Sequence, residues 1–291
     1  MATIDPAIAY VPRQRGRAFT FMRRHPTITI GAVLLLIMAL IAILAPWLGT
    51  GDPLALAPRQ RLREPSAINW FGTDMLGRDV YTRTLYGSRV SLVVGLSVAI
   101  FSTAIGLAIG LVSGYIRIVD AIVMRIMDGL MSIPSVLLAI ALMALTRASM
   151  QNVILAISVS EIPRVSRLVR GVVLTLREQP FVEAAVATGT RLRAILIRHI
   201  LPNTLAPLIV QATYICASAI VTEAVLSFIG AGTPPTIPSW GNIMAEGRAL
   251  FQVAGYIIFF PAVFLSITVL AVNLLGDGLR DALDPRLARK L

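Results

Sequence analysis

Long apolar runs constrain this chain more than anything else in it. Residues 27–48 carry no charged side chain, and about 20 such residues suffice to cross a bilayer as a helix. Five further runs follow, at residues 90–116, 118–145, 152–169, 205–229 and 256–275. In hydrocarbon a backbone must satisfy its own N–H and C=O groups, which leaves such runs only the helix. Of the 291 residues, 56% are hydrophobic and 14% charged, against about 25% charged in soluble domains. The expectation is an all-α membrane protein with six transmembrane helices.

The first run follows a basic segment, residues 1–26, in which Arg13, Arg15, Arg17, Arg23 and Arg24 face only Asp5. A signal peptide begins similarly, but its apolar part covers roughly 7–15 residues. The longer run here, with more spans behind it, reads as a retained first helix (residues 27–48) with its N-terminus inside. Residues 49–88 are then external, residues 89–276 hold the other five helices, and residues 277–291 form an internal tail. Eighteen of the 26 Lys/Arg fall on internal segments of this arrangement. The inverted arrangement would reverse that bias, so both termini are placed in the cytoplasm.

Details inside the runs suggest how helices meet. Gly106, Gly110 and Gly114 repeat at four-residue spacing, a small-residue pattern that lets helices approach closely in lipid. Arg125 and Asp128 are three apart in the third run and can pair on one helical face, away from lipid. Glu161 and Pro163 interrupt the fourth run, which Arg164, Arg167 and Arg170 close. In the Pro/Gly-rich external segment 230–255, Ser239 can cap a short helix starting at Trp240, whose ring suits the membrane interface.

The loop 171–203 differs from the rest. Within residues 181–203, Val182, Ala185, Val186, Gly189, Leu192 and Leu196 recur at helical spacing, while Glu183 lies near the start and Arg191, Arg193 and Arg198 toward the end. Gly189 weakens such a helix by about 1 kcal/mol unless a bend requires it. Pro202 opens the next run, where a missing N–H does no harm. An amphipathic helix between two spans needs a cover for its apolar face. Periodicity leaves two covers open, the lipid surface and a partner protein's groove.

Several chemistries are excluded. The only lysine is Lys290, so no phosphate-binding P-loop exists. The nearest approach to a nucleophile elbow, beginning at Gly95, lacks its last glycine, and no His-Glu-x-x-His pair occurs. Cys216 is the sole cysteine, and His25 and His199 lie far apart, so no metal site is expected. The formal charge of +11 does not indicate nucleic acid, because the arginines flank apolar runs. Asp128, Glu161 and Glu223 within apolar runs keep a proton-coupled secondary transporter open as an alternative.

Specific blocks sharpen this picture. Glu183-Ala184-Ala185, then Gly189, then Ile200-Leu201-Pro202-Asn203 resembles the EAA signature of permease subunits of bacterial ABC importers, with His199 where the general pattern has Ile. The block 71–79 with 85–92, Glu223 to Gly230, residues 238–241 and residues 276–286 resemble the second, C-type permease of dipeptide/oligopeptide importers. Glu161 departs from that pattern, which has a small or aromatic residue there. The resemblance implies a type I ABC importer permease fold in the bacterial inner membrane, with a cytoplasmic coupling helix. It implies a second permease as heterodimer partner, two cytoplasmic ATPase subunits that bind the ATP and Mg, and an extracytoplasmic peptide-binding protein. This chain would itself hold no cofactor and catalyse nothing.

The resemblance also implies roles. Glu183, Ala184, Ala185, Gly189, Arg191, Arg193, Arg198, Leu201 and Pro202 would couple to the ATPase. Asp74, Gly77, Arg78, Asp79, Tyr86 and Arg89 would shape the external side that meets the binding protein. Glu223, Ser227 and Glu161 would face the translocation path or the interface between permeases. The cargo would be di- or oligopeptides, or alternatively a non-peptide solute such as a nickel complex.

Overall fold

The computed structural model describes residues 25–283. Its helices are α1 (Pro26–Leu44), α2 (Val80–Tyr115), α3 (Arg117–Met131), α4 (Ser135–Ala144), α5 (Met150–Leu176), α6 (Pro180–Ala187), α7 (Leu192–Phe228), α8 (Trp240–Gly247) and α9 (Tyr256–Leu283). Among the described residues there is no β-strand, only an antiparallel bridge between Thr73 and Asp79. Local chemistry sets the starts of several helices. The Asp79 carboxylate accepts from Thr82 N at 2.7 Å at the head of α2. Ser149 and Ser239 accept at 3.2 Å from Asn152 N and Asn242 N, capping α5 and α8.

Four helices, α1, α2, α7 and α9, are long and apolar enough to cross a membrane, and a fifth span arises if α3 and α4 count as one. The third apolar run is not the continuous helix its sequence suggested. It bends by 89° between α3 and α4, where Pro134 has no N–H to donate and disfavours helical geometry at Ile133. Conversely, Glu161 and Pro163 do not interrupt α5, which continues unbroken to Leu176. That helix has 27 residues, but Glu161, Arg164, Arg167 and Arg170 leave it without the long apolar stretch that the other four possess.

The core lies where α2 and α5 run against each other. Val165, Val169 and Val173, all fully buried, are spaced to meet the three glycines of α2. A Cβ added at Gly106, Gly110 or Gly114 would sit 2.5, 2.6 or 2.7 Å from the Cβ of Val165, Val169 or Val173 respectively. Only glycine permits this approach. Val94 and Val98 of α2 and Ile215 and Leu226 of α7 extend the same core.

The ionic pairing of α3 also differs from the expectation. Asp128 pairs with Arg167 of α5, not with Arg125, and Asp120 accepts from Arg170 Nη2 at 2.7 Å. A facing helix offers a straighter approach than a neighbour on the same surface.

Outside the helices, residues 49–79 fold over the heads of α2 and α9. Phe71 stacks on Phe260 with centroids 3.9 Å apart, and Tyr256 donates its hydroxyl to Thr73 O at 3.0 Å. Trp240 is not an interface residue. It is fully buried and donates Nε1–H to Thr84 O at 2.9 Å, tying α8 to α2.

Candidate functional site

The segment joining α5 to α7 is two pieces, not one helix. Pro180 opens α6 at its first position, where no intrahelical partner is lost. Gly189 closes it with φ +75°: Gly189 N donates to Val186 O at 2.9 Å and Thr190 N to Ala185 O at 3.0 Å. This paired closure requires a left-handed residue, and nothing within 4 Å would obstruct a Cβ at Gly189. The glycine is therefore needed for its backbone conformation, not for space.

Because the chain turns at residues 188–191, the expected six-residue stripe does not form. Val182 and Ala185 face inward and are buried, with Val182 in one core with Ile195 and Ile200 of α7. Val186 and Leu192 are exposed. The inner face of α6 is thus covered by its own chain, whereas the sequence left open lipid or a partner protein as the cover.

The start of α7 is wound loosely over Ile195–Ile200, where Leu201 N bonds five residues back to Leu196 O. Pro202 cannot donate to Arg198 O, and this wider turn absorbs the mismatch. Asn203 Nδ2 donates to His199 O at 2.7 Å, and the His199 ring lies 6.4 Å from that of Phe181.

The outward side of this platform is chemically unfinished. Glu183, Ala184, Gly189, Arg191, Arg193, Arg198 and Pro202 are exposed, while Ala185 is buried and Leu201 half-buried. Among the described residues, none of Glu183, Arg191, Arg193 and Arg198 forms an ion pair. Phe181, Val186 and Ile197 are exposed beside them. An apolar patch rimmed by charges suits a protein partner.

The external candidates are placed differently. Asp74 is 1% exposed and Arg78 8%, so neither offers its side chain to a second protein. Asp74 Oδ2 accepts from Arg78 Nε at 2.6 Å and Arg83 Nη1 at 2.7 Å, and Glu246 of α8 accepts from Arg78 Nη2 at 2.6 Å and Arg83 Nη2 at 3.0 Å. Two buried cations thus meet two carboxylates from separate segments. Gly77, with φ +77°, admits no side chain, as a Cβ would lie 1.8 Å from Ala57 O.

Asp79 serves as the cap described above. Arg89 lies 5.2 Å from the ring of Tyr86 and donates Nη2–H to Ile43 O at 2.9 Å and Nε–H to Ala42 O, at the end of α1. These residues brace the external fold from within.

The residues expected at the path or at the interface between permeases, Glu223, Ser227 and Glu161, are buried within this chain. Glu223 and Ser227 are sealed where α7, α8 and α2 meet: Ser227 Oγ donates to Glu223 Oε1 at 2.8 Å, and Thr233 N donates to Ser227 Oγ at 3.2 Å. Glu161 is 2% exposed and accepts from Arg164 Nη1 at 2.9 Å. No group of three or more His, Cys, Asp or Glu able to hold a metal exists among the described residues.

Sequence reasoning missed Arg83 and Glu246 as partners of Asp74 and Arg78, and Val165, Val169 and Val173 as partners of the glycines. The valines repeat at the glycines' own spacing, a signal present in the sequence. No local signal links Arg83 to Glu246, 163 positions apart.

Comparison with known proteins places this geometry. Residues 102–289 match the family described as binding-protein-dependent transport system inner membrane component. Residues 14–65 match the N-terminal transmembrane domain of oligopeptide transport permease C. The chain is 55% identical over 268 residues to a probable peptide ABC transporter permease protein, y4tQ, of Sinorhizobium fredii, covering 92% of each chain. It is 41% identical to the dipeptide transport system permease protein DppC of Alkalihalophilus pseudofirmus, covering 93% of this chain and 89% of that one. A glutathione transport system permease protein, GsiD of Pectobacterium atrosepticum, is 41% identical over 92% of this chain and 89% of its own. In fold, the chain resembles the inward-facing MetNI methionine ABC transporter with a TM-score of 0.57 at 24% identity, over 68% of this chain and 94% of that one.

Proposed function

The chain belongs to the binding-protein-dependent transport system inner membrane components, and from that premise we propose that it is one of two permeases in an ATP-driven peptide importer. On this reading it works in the bacterial inner membrane as a multi-pass subunit. The peptide assignment is supported by relatives named for peptide, dipeptide and glutathione transport. Six spans are proposed: α1, α2, the bent α3–α4 pair, α5, α7 and α9, with both termini cytoplasmic. The charges of α5 do not prevent it from crossing, because helices in a bundle can turn polar residues away from lipid.

The observation that carries the reading is the platform formed by α6 and the start of α7. Its inner face is fixed to the core through Val182, Ile195 and Ile200, while its outer face presents Glu183 and three arginines without ion-pair partners among the described residues. A surface stiff on one side and unsatisfied on the other is suited to receive and transmit a push.

Under this proposal, two cytoplasmic ATPase subunits bind ATP and Mg, one of them docking on the platform, and their closure moves α6 together with α7. This chain forms no covalent intermediate and hydrolyses nothing. A second permease completes the path, and an extracytoplasmic binding protein delivers the peptide to the external face. Affinity purification of the tagged chain from its native membranes is expected to recover a second permease and two ATPase copies, with peptide uptake by vesicles requiring ATP. Recovery of the chain alone, with uptake driven by a proton gradient, would instead establish a secondary carrier.

A further inference from the structure

Most outward faces of the long helices are apolar, as lipid requires: Ile30, Leu36 and Ile43 on α1, Phe259 and Leu270 on α9. One face is not. On the second half of α5 the exposed residues are Arg164, Arg167, Gly171 and Thr175, and Asp128 of α3 joins them through its pair with Arg167. The side chains of Arg164, Arg167 and Asp128 remain 49%, 52% and 55% exposed. Exposed Arg125 of α3 adds a third cation to the neighbourhood.

The depth of this face follows from the seam with α2. Val165, next to Arg164, lies against Gly106. At 1.5 Å per residue Gly106 is about 25 Å along α2 from Arg89 and about 16 Å from Arg117, the cations that bracket its apolar stretch. Arg164 and Arg167 therefore stand within the hydrocarbon thickness, where lipid-facing charge is excluded by its cost.

A protein cover fits poorly as well. The exposed residues on this half of α5 include no large apolar side chain to build an interface centre, and drying a half-exposed ion pair costs several kcal/mol per ion before any return. Water is the environment these groups suit.

We infer that the face of α5 and α3 carrying Arg164, Arg167 and Asp128 is a wall of the water-filled peptide route. This rests on the reading of the chain as a peptide-importer permease and names the residues that reading leaves open. The wall offers both signs of charge: Arg125, Arg164 and Arg167 against Asp128. Mixed charge allows a zwitterionic peptide contact at both ends without holding either tightly, as a conduit must.

The test uses the assembled transporter in right-side-out vesicles loaded with ATP, with Cys216→Ala as the parent, binding protein, dipeptide and reagent added outside, and ATP-driven dipeptide uptake measured alongside. Arg167→Cys, Gly171→Cys and Thr175→Cys are each treated with a membrane-impermeant cationic thiol reagent, with Leu36→Cys and Leu270→Cys as lipid-facing controls. Modification at 167, 171 and 175, none at 36 and 270, and loss of uptake after modification are expected. If the three positions resist the reagent in vesicles that still import peptide, the wall assignment falls while the importer reading stands. If the parent shows no ATP-driven uptake at all, the importer reading falls and takes the wall with it. A second readout needs no reagent. Arg167→Glu is expected to lower uptake of an acidic relative to a basic dipeptide roughly fivefold, the scale of one close charge contact in water. An unchanged ratio counts against the assignment.

Discussion

The α2–α5 seam and the α6–α7 platform solve opposite problems with similar residues. In the seam, three glycines accept three valines so closely that no side chain larger than hydrogen fits, and the valines are fully buried within the chain. In the platform, Gly189 has open space around it and is required only by its backbone angle. Its neighbours Glu183, Arg191 and Arg193 are left exposed. The seam is complete in isolation, whereas the platform is complete only against something else. Substitutions in the seam should therefore change stability, and those in the platform should change coupling while the fold survives.

The largest expected effect breaks the seam. Gly110→Leu forces a side chain into a contact where even Cβ would lie 2.6 Å from Val169 Cβ; overpacking costs about 1–3 kcal/mol and sometimes more. The variant should fail to accumulate as folded protein in membranes, measured by detergent-solubilised yield and thermal unfolding. Val169→Ala in the same chain should recover part of the yield. Normal stability of Gly110→Leu would mean that α2 and α5 do not meet along this stripe.

Next in size is the loss of the cap at the head of α2. Asp79→Ala removes the acceptor for Thr82 N and is expected to cost about 1 kcal/mol, seen as a lowered unfolding midpoint with coupling retained. A similar destabilisation, about 1 kcal/mol or less, is expected for Gly189→Ala, which must hold alanine at a positive φ. Here, however, the drop in peptide-stimulated ATP hydrolysis should exceed what the small stability loss explains. Equal losses of stability and coupling at Gly189 would erase the distinction between the two regions.

Much of this division was legible in the sequence, for physical reasons that also mark where reading stopped. Hydropathy located four long apolar helices, and a fifth span if α3 and α4 count as one, because lipid favours a helix for such long runs. The three glycines were legible as a packing stripe, but their partner helix was not, since spacing reports a surface and not what meets it. Asp128 was assigned to Arg125, three residues away, while Arg167, 39 residues away, holds it. Pro134 lay inside an apolar run that hydropathy alone joins into one helix, and the 89° bend appears only in three dimensions.

Glu223 and Ser227 are expected at the path or at the permease interface because acids within spans are usually functional. Spacing does not reveal that both are buried beside α8, where Ser227 donates to Glu223. The platform was recognisable as an interruption of the apolar pattern. Its periodicity could not separate one helix from two, because a glycine continues a helical repeat on paper while ending the helix in space.

The central claim, that the platform transmits force from an ATPase, rests most directly on Glu183. The side chain is exposed and makes no ion pair among the described residues, so its loss removes at most a small interaction with the start of α6. In the assembled complex, Glu183→Arg should insert and unfold like the parent while peptide-dependent ATP hydrolysis disappears. Full peptide-dependent hydrolysis by that variant would contradict the account.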